Sequence, residues 1–235
     1  ARDWRIIFNT SKTILMNFSR KTIKDINFQI TFNNEMICLT KIHKHLGVLL
    51  SSDLKWSAHI DYTINNANKK LGLLKRQSKF LNFEQKCTVY LNMIRPAIEY
   101  ASVIYDNCDL NESMKIEQLQ RKAALICTGA NFRTESKLLV NFLHWDSLSG
   151  RRKIAKLQLF YLMQRKLAPA YLSDLIYMLP PGTHNTRQRV PNRLNVQISH
   201  SSRYSSNSYK SFIHSTSRNW NDLPDEIKQS DSLLK

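Results

Sequence analysis

Apolar positions fall into two regimes along the chain. From Ala1 to Leu50 they come as short runs and alternations: Trp4 to Phe8, Ile14 to Phe18, then Phe28, Ile30 and Phe32 with polar residues between them. The intervening clusters Asn9-Thr10-Ser11-Lys12 and Asn33-Asn34 are of turn-forming type. This spacing predicts short strands, with Asn33-Asn34 turning a hairpin whose second arm runs Met36 to Leu39. His45 to Leu50 predicts a further strand, and Gly47 inside it marks a bulge or the close approach of another backbone. Strands this short cannot complete a layered domain by themselves.

Beyond Leu50 the period changes to that of helices. Ile60, Ile64, Ala67, Leu71 and Leu74 recur at steps of four, three, four and three behind Ser57, the expected cap, and the other face carries Asn65, Lys69, Lys70, Lys75 and Arg76. Asn82 with Gln85 predicts a boxed start for a second helix through Cys87, Tyr90, Leu91, Ile94 and Ile98, which Pro96 should kink or split. Asn111 opens a third along Ile116, Leu119, Ala123 and Ile126, with Gly129 as its stop. Thr134 caps a fourth into Leu138, Leu139 and Phe142; Ser147 opens a long fifth that ends before Pro169; Ser211 to Trp220 predicts a last amphipathic turn or two. Trp145, Trp220 and Leu223 read as core anchors, and Trp56 with His59 as a structural corner rather than a base-stacking platform.

Composition adds a partner class. The 235 residues are 42% apolar and 23% charged, enough for a packed core of one large or two small domains. Thirty-five Lys and Arg against 18 Asp and Glu give a net charge of +17, which favours a polyanion, nucleic acid ahead of an anionic membrane surface. The excess is uneven: residues 131–220 hold 14 basic residues against Glu135, Asp146 and Asp174, and Leu175 to Asn221 contains no acid. That Ser- and Asn-rich stretch reads as a basic extended surface or as a loop that orders on phosphates. The start ARDWRIIFNT lacks an initiator Met and the order of a signal peptide, so the chain reads as a soluble segment of a longer one. Cys38, Cys87, Cys108 and Cys127 are too widely spaced for a zinc module or a disulfide framework and point to a reducing compartment.

No self-sufficient active site is legible. Phosphate-cradling, zinc-protease and nucleophile-elbow motifs are absent, and five glycines leave little material for a phosphate loop. His43 and His45 share a strand face without a third ligand nearby. The densest acids, Asp106 with Asp109 and Asp222 with Asp225 and Glu226, sit at expected helix starts or turns and read as caps. Arg151, Arg152 and Lys153 open the fifth helix against its dipole, which requires a compensating anion, either RNA phosphate or an acid such as Asp146.

The strings WRIIFNTSKTILMNFSRK and KHLGVLLSSDLKWSAHI resemble the end of the palm and the primer-grip region of reverse transcriptases of non-LTR retrotransposons. LNMIRPAIEYASVIYD, IEQLQRKAALICTGA, LHWDSLSGRRKIAKLQLFYLMQRKLAPAYLSDL and SFIHSTSRNWNDLPDEI are similar to the thumb and C-terminal region of jockey-like members, in the same order. The resemblance implies an α+β, mostly α chain: a short N-terminal antiparallel sheet left from a polymerase palm, then a helical thumb and a helical C-terminal region. It implies palm-end and primer-grip strands at 1–55, a thumb-like bundle at 56–130, a basic helical extension at 131–180 and a basic tail with a short helix at 181–235.

The same resemblance implies functional residues. Lys12 aligns with the lysine of the palm's fourth motif, near the incoming nucleotide, where it serves as a general acid in the intact palm. Leu46 and Gly47 match the primer grip, with Lys44 and His45 placed for phosphates. Lys69, Lys70, Lys75 and Arg76 are the thumb's candidate contacts to RNA and RNA–DNA hybrid, joined by Arg151, Arg152 and Lys153. The family's metals are held by aspartates upstream, one pair in an (F/Y)xDD turn, and no Asp-Asp pair occurs here. Mg2+ is therefore expected in the intact parent, with no cofactor and no polymerisation in this chain alone. The implied partners are also the upstream palm, fingers and endonuclease parts of the parent polyprotein, without a membrane, in cytoplasm and nucleus. The alternative is a domesticated or remnant helical interaction module with no polymerase role.

Overall fold

The computed structural model describes residues 9–19, 29–176, 212–228 and 230. The strand expected at Trp4 to Phe8 and the tail from 181 to 211 lie outside them. The described chain is α+β and mostly α, and it divides into two compact units. One runs to Ile98 and includes Leu110–Ala130; the other comprises Glu99–Asp109 and the chain from Asn131 onward.

The first unit opens with strands. Asn9 accepts a hydrogen bond from the Ser11 N–H at 3.0 Å and starts a single 3-10 turn at Thr10–Lys12, followed by β1 (Ile14–Leu15). β2 (Thr31–Phe32) and β3 (Glu35–Met36) form the hairpin expected at Asn33-Asn34, which stand at φ 51° and 63°, but its second arm is shorter than the Met36 to Leu39 expected. Two left-handed residues between antiparallel strands match the strands' own twist, and asparagine tolerates that conformation well. β4 (Cys38–Leu39) then pairs in parallel with β1.

The next element corrects the sequence reading. His45 to Leu50 is not one strand with a bulge; it is the centre of a second hairpin, β5 (Ile42–His45) and β6 (Val48–Ser51), in register from Ile42 opposite Ser51 to His45 opposite Val48. Leu46 and Gly47 make the two-residue turn at φ 46° and 84°. The glycine serves the turn, and the alternation of the sequence hides the reversal because apolar residues continue through it.

Behind the hairpin α1 (Ser57–Gln77) buries Ile60, Ala67, Leu71 and Leu74. Each leucine so buried contributes roughly 1.5–3 kcal/mol. The helix begins one residue earlier in role than its serine suggests: Trp56 holds the cap position, and the Ser57 hydroxyl donates instead to the Glu112 carboxylate of α5 (Leu110–Thr128). The α5 face of Ile116, Leu119, Ala123 and Cys127 packs on α1, and Gly129 at φ 70° stops the helix as expected. Between them α2 (Phe83–Val89) starts with the Asn82–Gln85 capping box. Pro96 has no N–H to give the Asn92 carbonyl, and just upstream the helix widens to π spacing over Tyr90–Ile94, where Arg95 N–H reaches Tyr90 O, before α3 (Arg95–Glu99). The buried Tyr90 hydroxyl donates to Gln120 Oε1 at 3.0 Å.

The second unit is built on buried ion pairs. α4 (Ser102–Tyr105), α6 (Ser136–Phe142), α7 (Leu148–Gln164), α8 (Ala170–Ser173), α9 (Phe212–Asn221) and α10 (Asp225–Lys228) supply its helices. α6 has Glu135, not Thr134, at its cap position, whereas Ser147 caps α7 through a 3.0 Å bond from Gly150 N–H. Asp106 holds the C-cap position of α4, but its side chain serves ion pairs: it accepts from Lys156 Nζ at 2.6 Å and faces Arg152 Nε at 3.4 Å, and Lys156 also donates to Ser215 of α9 at 3.0 Å. Phe160 and Tyr161 of α7 close on Trp220, with Leu223 packed at the edge; Trp145 is buried too. Asp106→Asn removes a carboxylate from two buried cations, a change of roughly 3 kcal/mol or more. Its denaturant midpoint should drop far more than that of Asp146→Asn; equal effects would contradict the assignment.

Candidate nucleic-acid interface

At 3.6 residues per turn, the buried residues of α1 define an inward face, and Tyr62, Asn65, Lys69, Leu73 and Arg76 follow steps of three and four along the opposite side. No acid occurs between Asp61 and Glu84. The four cations expected to share one face therefore separate. Lys69 and Arg76 lie on the outward stripe and are exposed. Lys70 turns to the flank, where Nζ donates to Met93 O at 3.1 Å and so spends itself on the π-helical segment. Lys75 lies seven residues after Asn68, on the flank where Asp61 and Asn68 meet Lys115 and Lys122 of α5 at 3.4 and 3.3 Å.

The strand hairpin adds to the same stripe. Lys44 of β5 donates from Nζ to the Tyr62 hydroxyl at 2.7 Å, with the ammonium 4.7 Å from the ring centroid. Those contacts hold the Tyr62 hydroxyl below its ordinary pKa, through the bond from Lys44 first, then a bond with Asn66 and the charges of Lys44 and Lys69. Tyr62 was missed in the sequence, though its position seven residues before Lys69 was legible. At the hairpin tip Leu46 is 78% exposed in the left-handed region, a conformation that costs a branched side chain about 1–2 kcal/mol. His45 is exposed beside it, and its ring lies 6.5 Å from that of His43 on the same strand face. Lys12 is exposed at the end of its 3-10 turn.

Of the two kinds of anion the sequence left open for the trio at the start of α7, the structure sets carboxylates against Arg151 and Arg152. Arg151 makes a two-pronged pair with Glu99, through Nε to Oε1 and through Nη2 to Oε2 at 3.1 Å. Arg152 is buried against Asp106, so its guanidinium is not at the surface; Lys153 alone of the three is exposed. The macrodipole argument found the need for an anion here, but nothing in the local sequence pointed to residues some fifty positions upstream.

Below the hairpin, His59 joins β6 to α1. Its Nδ1 accepts from the Leu49 N–H at 3.3 Å, and Trp56 packs edge-on at 6.4 Å, a structural corner as expected. Burial lowers the His59 pKa, and protonating Nδ1 would set a donor against a donor. The stability so conferred is present above the unfolded histidine value of about 6.5 and lost as pH falls through the lower folded one, at no more than about 1.4 kcal/mol per pH unit. Acidification from pH 7 to 5 should lower the protection factor of the Leu49 amide, its exchange rate taken relative to the intrinsic rate at each pH, in the native chain and much less in His59→Gln; parallel profiles would contradict this.

Chemistry elsewhere is sparse. The cysteines are free thiols, and burial, with Cys87 beside it, pushes Cys127 up to about 12. Among the described residues no three His, Cys, Asp or Glu gather to hold a cation. No helix among them is long and apolar enough to cross a membrane.

No family model matches this sequence, and no solved structure matches it. Over 133 residues, 55% of the chain, it is 26% identical to the RNA-directed DNA polymerase from mobile element jockey of Drosophila funebris. That match covers 14% of the polymerase's length. The chain is thus similar, over about half of itself, to a short stretch of a reverse transcriptase.

Proposed function

We propose that this chain is a C-terminal segment of a non-LTR reverse transcriptase that grips template-primer nucleic acid while upstream parts of the parent perform polymerisation. The observation that carries the reading is the outward stripe of α1, where Lys69 and Arg76 follow Tyr62 with no acid between them in the sequence and Lys44 of β5 meets Tyr62 at the stripe's start. A row of cations spaced along one helix face matches the periodic charge of a phosphate backbone, and it gains affinity by releasing counterions. The collinear similarity to a jockey polymerase supports the same reading. In this proposal the thumb contacts are Lys69 and Arg76, with Lys70 and Lys75 on the flanks and Lys153 as the exposed cation of α7. Leu46 and Gly47 set the hairpin tip against the primer backbone, and RNA and RNA–DNA hybrid are the ligands. Lys12 would hold a proton for departing pyrophosphate only within a complete palm.

Affinity of the chain for a hybrid duplex and for a single strand, across a salt series, tests this. Four cations on four phosphates give a log–log slope of roughly −3 with a preference for the hybrid. Reversing Lys69 and Arg76 to Glu should flatten it. Weak, shallow binding without preference would favour an interaction module instead. The hairpin tip offers a second test, because strain and function oppose each other there. Leu46→Asn should raise stability by about 0.5–1 kcal/mol, since Asn-Gly suits the turn, while weakening hybrid binding. A variant both more stable and equally tight would remove Leu46 from the interface.

A further inference from the structure

We propose that Lys44, Tyr62 and Lys69 form one phosphodiester subsite in which Tyr62 is the positioning residue, a role that rests on the nucleic-acid reading above. Three groups from two elements share the stripe there. Lys44 comes from the hairpin, and its ammonium is fixed twice, by the hydroxyl at 2.7 Å and by the ring at 4.7 Å. Tyr62 and Lys69 come from α1 at a seven-residue spacing, so they lie nearly in line along the exposed stripe. Asn66, one turn after Tyr62, also helps to hold the hydroxyl's pKa down.

This arrangement has a cost that a ligand would remove. A lysine chain loses most of its rotamer freedom when held, and two ammonium groups near one another repel. Among the described residues neither Lys44 nor Lys69 pairs with a carboxylate. In the second unit the buried Arg152 and Lys156 have Asp106 set against them, and the half-buried Arg151 has Glu99. A phosphodiester seated along the stripe would supply the missing charge to both ammonium groups, and the phenol holds Lys44 against the helix that carries Lys69. The lowered pKa of Tyr62 reports the same field.

Charge and positioning can be separated in the full chain. Lys44→Gln and Lys69→Gln should each reduce the salt slope for a single-stranded oligonucleotide by about 0.7, one phosphate contact apiece. Tyr62→Phe keeps both charges and the ring, so it should leave the slope unchanged while weakening binding roughly three- to tenfold. A purely structural tyrosine would not predict the next signal: with tyrosine labelled at Cζ, and the Tyr62 resonance identified by its loss in Tyr62→Phe, saturation with oligonucleotide should raise the Tyr62 pKa toward the ordinary value. Unchanged slopes in both glutamine variants, or an unmoved Tyr62 titration in a saturated complex, overturn the subsite while the nucleic-acid reading stands. Failure of the native chain to bind any polynucleotide overturns both. Binding confined to vesicles containing phosphatidylserine, and lost in the same variants, assigns the stripe to a membrane surface and overturns the proposal.

Discussion

Thirty-five basic and eighteen acidic side chains cannot all pair, and the placement of the few carboxylates decides which cations remain at the surface. A buried cation without a partner costs far more than an exposed one. In the second unit Glu99 takes Arg151, and Asp106 takes Arg152 and Lys156, with Ser215 completing the lysine's bonds. This pairing accounts for the discontinuous make-up of that unit: Glu99–Asp109 lies between the π-helical segment and α5 in the chain but carries the anions that α7 requires. In the first unit the carboxylates serve other ends. Glu112 receives the Ser57 hydroxyl and Asp61 faces Lys115, and the outer stripe of α1 is left with cations alone.

That division bears on function. Charge neutralised inside a fold stabilises it and offers nothing to a ligand, whereas a stripe of uncompensated charge on a rigid helix is available to a polyanion. The hairpin brings Lys44 and Leu46 toward this helix because β6 docks on α1 through His59. The packing that shapes the first unit thus also sets the spacing of its cations.

Much of the fold was legible. The Asn82–Gln85 box, Ser147 as cap, Gly129 as stop and the apolar face of α1 all rest on rules that act within one or two helical turns. The misses share a cause. The turn at Leu46-Gly47 is masked because apolar residues run through it, and a leucine is a poor advertisement for a left-handed position. Asp106 looked like a cap alone because its partners lie some fifty residues downstream, and spacing within an element carries no record of tertiary pairing. For the same reason Lys70 could not be told from Lys69 without knowing where the π-helical segment sits. The candidate site was legible in its charge but not in its aromatic centre, because Tyr62 meets Lys44 from a different element.

The central claim is that the buried cations of the second unit serve the fold while those on the outer stripe of the first serve a ligand. Acetylation of lysines in the native chain, with and without an RNA–DNA hybrid and read out residue by residue, measures this directly. The account predicts that Lys156, 5% exposed at its side chain, stays unmodified in both states, and that Lys44 and Lys69 react freely alone and become protected with the hybrid. Equal reactivity of Lys44 and Lys69 in both states, with protection confined to residues beyond Asn131, would contradict it.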